Sequence, residues 1–292
     1  IVPIGVFLIA HLVTNSSLLW GGYADRGKFE GLPPQEGGWA YFWYEVEWIN
    51  SQIPHLLLIE ITLWTAIAFH SILGVVYATS GKNNTERYAY QGNRRYKWQR
   101  ISGYVGILFI FYHVATLRWQ WGFLVPGGTE WNHHFSVSTL AAALRGSYEG
   151  ITIAGVLVSL FYFAGITMLV FHFANGLWTA AITWGLTISQ KAQQRWGYVC
   201  AGLGAGLMVA AWSSLAGAVL TDPMAARELE AKLILEQHGE DYLADIEAKY
   251  PLPEPTEEAG PDPESAGSEA AAVVDHNDNL NETEDGIRDG AG

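Results

Sequence analysis

Five stretches of the chain are long, apolar and almost free of charge: residues 1–20, 55–79, 99–121, 151–187 and 196–220. Each is near or beyond the ~20 residues that a helix needs to cross the hydrocarbon core of a bilayer. The pattern predicts an all-α membrane protein, a bundle of five transmembrane helices joined by short polar connections. The first stretch opens at Ile1 already in apolar sequence, with no Met and no basic segment, and reads as a helix lacking part of its N-terminus rather than as a signal peptide. The fourth is long enough to project beyond the bilayer. Between the first two spans, Trp39, Tyr41, Trp43, Tyr44 and Trp48 predict a short amphipathic segment lying in the membrane interface. Residues 122–150 read as a loop.

Charge divides the chain into two parts. From Thr221 onward there are 20 acidic and 4 basic residues, and before it 9 acidic and 12 basic. Residues 1–220 are therefore a weakly basic membrane domain, and residues 221–292 an acidic tail. Helical spacing of Leu229, Leu233, Ile234, Leu243 and Ile246 predicts one surface helix over 224–250. The Pro-, Glu- and Ala-rich remainder from Pro251 predicts disorder. The charge distribution gives no nucleic-acid-binding profile. Connections II–III and IV–V together hold eight Lys and Arg, among them Arg94, Arg95, Lys97, Arg100, Lys191 and Arg195, against four in connections I–II and III–IV. The positive-inside bias places the former in the cytoplasm and the tail on the outer side.

One histidine stands inside each of four apolar spans: His11, His70, His113 and His172. An imidazole at membrane depth is costly unless paired or bound. Four of them, on four helices, point to two metal centres with two histidines each. The lone Cys200 cannot hold an iron–sulfur cluster or a structural zinc, and no Cys-x-x-Cys-His is present for covalent haem attachment. Two facing histidines are the donor set of a bis-imidazole b haem, whose closed coordination suits electron transfer. A flat porphyrin needs neighbouring turns without bulk. Gly74 follows His70 by four residues, Gly176 follows His172 by four, and Gly106 precedes His113 by seven, all same-face spacings.

Depth assigns the pairs. His11 lies 9 residues before Trp20 and His113 lies 8 before Trp121, both on helices running outward. At 1.5 Å per residue they sit ~12–14 Å below the outer helix ends. His70, 12 residues before Lys82, and His172, 15 before Thr187, match one another from the inner side. The expected pairs are His11 with His113 at an outer haem and His70 with His172 at an inner haem. His55 reads as interfacial. His133-His134, His238 and His276 read as solvent-facing.

Four stretches carry a family resemblance: GVFLIAHLVTN (5–15), FHSILGVVYATSGKNN (69–84), WQRISGYVGILFIFYH (98–113) and FHFANGLWTAAITWGLTIS (171–189). Over residues 1–220 the chain resembles the cytochrome b membrane-anchor subunit of succinate:quinone oxidoreductase and fumarate reductase, in its single-chain, five-helix, two-haem form. The resemblance implies that His11, His70, His113 and His172 are the haem ligands. It also implies a bacterial cell membrane location and flavoprotein and iron–sulfur partner subunits on the cytoplasmic face. Electrons would pass through two haems to a quinone, menaquinone in two-haem members. Propionate groups need donors: Asn15, Ser16, Arg118 and Trp119 are the candidates for the outer haem and Lys191 for the inner one. Quinone chemistry needs a group that moves protons, and Glu45, Glu47 and Glu60 are the candidates. The acidic tail departs from the family pattern.

Two other classes give different expectations. Di-haem cytochromes of the quinol–cytochrome c reductase type carry two histidines on each ligating helix, whereas this chain has one. Di-haem cytochromes of the hydrogenase and formate dehydrogenase type stay open as alternatives. A haem-free transporter would show paired helix interruptions and polar residues along a pore, and neither pattern is seen.

Overall fold

The computed structural model describes residues 1–252 except 25–26, 28, 54–55, 82–85 and 89. Expectations resting on His55, Lys82 and His276, and on disorder from residue 253 onward, lie outside the described residues. By internal contacts the chain divides at residue 246, and the described part of the second unit is its first six residues.

Among the described residues the chain is helical throughout. The α-helices are α1 Val2–Ala24, α2 Pro34–Gln52, α3 Leu56–Ser80, α4 Gln91–Leu117, α5 Ser136–Arg145, α6 Ile153–Thr183, α7 Gln190–Leu220, α8 Pro223–His238 and α9 Glu240–Lys249. Helices α1, α3, α4, α6 and α7 are long and apolar enough to cross a membrane. Their starts are written locally. Thr152 accepts from the Gly155 amide at 3.0 Å and Ser189 from that of Ala192 at 3.2 Å. Asp222 accepts from Met224 and Ala225 at 2.9 and 3.0 Å, with Pro223 in the first turn.

The bundle is held along α1, α6 and α7, where Leu12, Val170, Leu207 and Ala211 form a buried cluster. Helix α4 packs on α6. Helix α3 stands apart: of its 25 residues only Ala78 is buried. In a lipid setting that exposure is ordinary for an apolar helix, and it leaves open space beside α3.

Four sequence expectations shift. Helix α4 begins at Gln91, eight residues before the expected 99, so Arg94, Arg95, Lys97 and Arg100 lie on the helix and not in a connection. It ends at Leu117, where Gln120 adopts a left-handed conformation (φ 56), and Trp119 and Trp121 lie beyond it. The expected 122–150 loop contains α5, whose Ser136–Leu144 are all buried. The interfacial segment is α2, yet Trp39, Phe42 and Trp43 face protein, and Trp43 donates to the His134 carbonyl at 2.7 Å. The reason is close approach: a Cβ at Gly38 would strike the Leu18 carbonyl, so glycine lets α2 lie against α1.

The tail differs most. The single surface helix expected over 224–250 is two helices, broken at Gly239 (φ 88). Helix α8 is no surface element: Glu230 is 1% exposed, Ile234 0% and Arg227 6%. It packs on α5 and α2, so three segments far apart in sequence close one end of the bundle as a cap. Glu230 is its keystone. Its carboxylate accepts from the Val137 amide at 2.6 Å, the Ser138 amide at 3.2 Å and the Ser138 hydroxyl at 2.5 Å, satisfying the free N–H groups that open α5. Arg227 lies over the buried Phe135 ring, 3.1 Å from its centre. Arg145 donates to the carbonyls of Val219 and Thr221 at 3.2 and 2.9 Å, tying the end of α5 to the end of α7.

Glu230→Ala strands these buried donors, and the expected cost is about 1–3 kcal/mol, read from thermal unfolding and faster hydrogen exchange at Val137 and Ser138. Burial pushes the Glu230 carboxyl up to about 7, against the pull of Ser138, the two amides and Arg227. The folded cap therefore holds a proton that the unfolded chain, with glutamates near ~4.3, gives up earlier. Its contribution to stability is full below that range, falls as pH rises through it, and levels off above about 7. Glu230→Gln should flatten this dependence in melting curves taken from pH 4 to pH 8.

Candidate functional site

The four histidines meet as two pairs. His11 of α1 and His113 of α4 have ring centres 5.8 Å apart, with planes at 83°. His70 of α3 and His172 of α6 are 5.9 Å apart, also at 83°. Two imidazoles that bind one ion from opposite sides, at the ~2.0–2.1 Å typical of metal–nitrogen bonds, have ring centres roughly 6 Å apart. Both observed separations match this spacing.

The surroundings bear on whether a haem fits. Among the described residues no group of three or more His, Cys, Asp or Glu side chains gathers where it could hold a bare metal ion. Two imidazoles per site are too few for a naked ion and the right number for one whose other four ligands come from a macrocycle. His113 Nδ1 is buried with no hydrogen-bond partner. His172 Nδ1 lies 3.1 Å from the Gln99 carbonyl, to which its N–H donates, and this leaves Nε2 free as a ligand. Gly74, one turn from His70, has open space where a side chain would stand. The donor set fits a b haem at each pair, and the open position at Gly74 leaves room beside His70.

Two sequence motifs interlock around His172. Gln99 Nε2 donates to the His172 carbonyl at 3.1 Å, and Asn175 Nδ2 donates to Gln99 Oε1 at 2.8 Å. Ser102 Oγ donates to the Gln99 carbonyl at 3.1 Å and lies 3.2 Å from His172 Nδ1. A Cβ at Gly103 would come within 3.1 Å of His172 Cε1, so glycine there eases the close passage of the helix beside the imidazole. The stretches QRISG and HFANG thus form one polar clasp between α4 and α6. Sequence reasoning assigns Gln99, Ser102 and Asn175 no role. The signal that could have found them is three polar residues in otherwise apolar spans that also carry a histidine.

The remaining candidates fall in different places. Gly106 faces Leu169 and Gly176 faces Gln99, so both are points of close contact between α4 and α6. Asn15 Nδ2 donates to the His11 carbonyl at 2.8 Å and stands 3.4 Å from its Nδ1. Ser16 donates to the Val13 carbonyl at 2.8 Å and accepts from Trp20 at 2.9 Å. Its neighbour Ser17 reaches Glu45 Oε2 at 2.9 Å. Burial pushes the Glu45 carboxyl up, with the Ser17 bond opposing. Glu60 and Arg118 meet each other in a two-pronged ion pair at 2.7 and 3.1 Å, and Trp64 stacks on Trp119 beside them at 5.8 Å. Lys191 is exposed in the first turn of α7.

The histidines read as solvent-facing are partly covered. His133 and His134 lie 3.8 Å apart at half-buried positions, and His134 meets Tyr242 at 5.8 Å. His238 stands 3.9 Å from Glu47, whose other carboxylate oxygen is buried without a hydrogen-bond partner. The cap, which sequence periodicity did not reveal, is what covers them.

Five apolar spans that bring together two imidazole pairs define a helical membrane protein with two paired-histidine sites. The chain is similar to the succinate dehydrogenase cytochrome b558 subunit of Bacillus subtilis (strain 168), at 28% identity over 201 residues, 68% of this chain and 82% of that protein. The resemblance to a succinate dehydrogenase cytochrome b anchor, first carried by the histidine motifs, is shown by this independent match. No family model and no solved structure matches the chain.

Gln99→Leu removes both side-chain bonds of the clasp and leaves Asn175 without its acceptor. The expected loss is about 1–3 kcal/mol in detergent, measured by thermal unfolding. Thr62→Val, which deletes only a hydroxyl bonded to the preceding turn of an exposed helix face, should change stability by no more than ~0.5 kcal/mol.

Proposed function

We propose that this chain is the membrane-anchor cytochrome b subunit of a succinate:quinone oxidoreductase in a bacterial cell membrane, holding two b haems between an iron–sulfur subunit and a membrane quinone. The observation that carries this reading is the meeting of four imidazoles, one from each of four spans, as two pairs at 5.8 and 5.9 Å. His70 and His172 hold the inner haem and His11 and His113 the outer one. When bound, b haem supplies a one-electron relay and, with both axial positions closed, excludes oxygen chemistry.

The chain's own residues set up that relay. The Gln99 carbonyl orients His172 by accepting a hydrogen bond from its Nδ1–H, which fixes the tautomer and leaves Nε2 for the pair. Asn175 and Ser102 hold Gln99 in place. At the other pair, Asn15 steadies the His11 turn. The basic start of α4 and the α6–α7 connection face the cytoplasm and receive the iron–sulfur subunit, which joins the anchor to the flavoprotein. The cap of α2, α5 and α8 then lies outside.

Quinone chemistry at the outer end requires a proton store, and two groups suit it. Glu45, whose carboxyl burial pushes up against the Ser17 hydrogen bond, is one. Glu60, held by Arg118 and flanked by Trp64 and Trp119, offers a carboxylate beside flat aromatic faces. The quinone is menaquinone, as the resemblance to two-haem anchors implies.

Haem quantification with a reduced-minus-oxidised spectrum on the full chain is expected to give two b haems per chain. His70→Ala should retain one, the outer, and His11→Ala one, the inner, and the two variants should differ in midpoint potential. One haem or none in the unaltered chain would overturn the assignment. Glu60→Gln should lower quinone reduction at least tenfold in the assembled complex while leaving both haem bands in place. Loss of an exposed ion pair costs stability no more than ~1 kcal/mol, so a fold defect would not explain that result.

A further inference from the structure

We propose that a groove on the α4–α6–α7 face is a binding site for one anionic phospholipid of the cytoplasmic leaflet, with its phosphate on Arg95. The groove holds about 330 Å³, and its walls are almost entirely apolar. Phe171 and Trp178 form one side, and Ala201, Ala205 and Met208 of α7 the other. It lies beside Asn175 and on the α7 side of α6, whereas His172 of α6 is clasped by α4. The inference is therefore independent of the haem assignment.

Length identifies the occupant. Along α7 the lining runs from Gly197 to Met208, eleven helical steps. At 1.5 Å per residue this is ~16 Å. Half of a ~30 Å hydrocarbon core is about the same, so the groove is as deep as one leaflet. Small residues floor it, and a single acyl chain matches that narrow, apolar, leaflet-long shape. A quinone ring would ask for polar partners along its edge, and apart from Arg95 the one polar side chain that can hydrogen-bond strongly there, Asn175, already donates to Gln99.

Charge identifies the headgroup. Arg95 is the one cation lining the groove, and it stands at its cytoplasmic mouth in the first turns of α4. Its guanidinium is held over the Trp178 ring, 4.8 Å from the centre, and this orders the long side chain before any ligand arrives. Among the described residues no carboxylate lies within ion-pair distance of it. Arg94 and Lys97 on α4, and Lys191 and Arg195 at the start of α7, keep the surrounding field positive. A planar guanidinium suits a phosphate, and the cytoplasmic leaflet is the one rich in anionic lipid.

The test uses the purified full chain in nanodiscs of phosphatidylcholine containing one-fifth phosphatidylglycerol, with lipid retained after detergent transfer counted by native mass spectrometry. The unaltered chain should retain one phosphatidylglycerol in preference to phosphatidylcholine. Arg95→Gln should lower that preference at least fivefold, and Lys97→Gln, outside the groove, should leave it within twofold. Ala201→Phe, which fills the groove, should abolish retention of both lipids. An Arg95→Gln preference equal to that of the unaltered chain overturns the site. So does an equal fall in Lys97→Gln, which would show a general basic surface, or retention of a quinone in place of a phospholipid. Unchanged melting of Arg95→Gln separates the result from a folding defect.

Discussion

Hydrocarbon offers no hydrogen bonds, so a polar group placed at membrane depth must find its partner inside the protein. That constraint organises this chain. The spans carry few side chains able to hydrogen-bond strongly, and those that occur are engaged with one another: Gln99 with His172 and Asn175, Ser102 with Gln99, Asn15 with His11. Serine and threonine elsewhere in the spans bond back to their own helix, as Thr62, Thr65 and Thr79 do. Against that background the Nδ1 of His113 stands out, buried and without a hydrogen-bond partner among the described residues.

The two imidazole pairs are built differently. At His70–His172 the polar clasp ties the ligand helix α6 to α4, while α3, which supplies the partner imidazole, is almost uncovered. The rigid half and the loose half of that site come from different helices. At His11–His113 both helices pack on protein neighbours, α1 on α2 and α7, and α4 on α6. Phe7 stacks on His11 at 5.2 Å and Phe109 on His113 at 5.7 Å, so each ring is steadied by an aromatic neighbour one turn before it.

What was legible in the sequence follows the strength of the local signal. Five apolar runs of membrane length and four isolated histidines are long-range regularities, and the depth count along each helix was enough to pair His11 with His113 and His70 with His172. Helix ends were less legible: α4 starts in a polar, basic stretch because the first turns of a spanning helix stand in the interface, where charge carries little cost. The cap was invisible. Ser136–Arg145 shows no long apolar run, and the acidity of residues 221–292 masked Glu230, the one tail glutamate that is buried among the described residues. Glu230 looks like any other tail carboxylate until α5 packs against it. The glycines at 106 and 176 read in the sequence as room for a porphyrin; in the structure they stand where α4 meets α6, against Leu169 and Gln99, which only the crossing of the two helices decides.

The cap also orders the chain in time. Helix α2 emerges after the first span, α5 after the third and α8 only after the fifth, yet each needs the other two to bury its face. During synthesis the donors at the start of α5 must stay hydrated until the last membrane segment has been threaded and α8 can fold back with its carboxylate. That end of the bundle thus closes as a seal set by the final step of insertion, and a half-made chain exposes an open, wet rim that distinguishes it from a finished one.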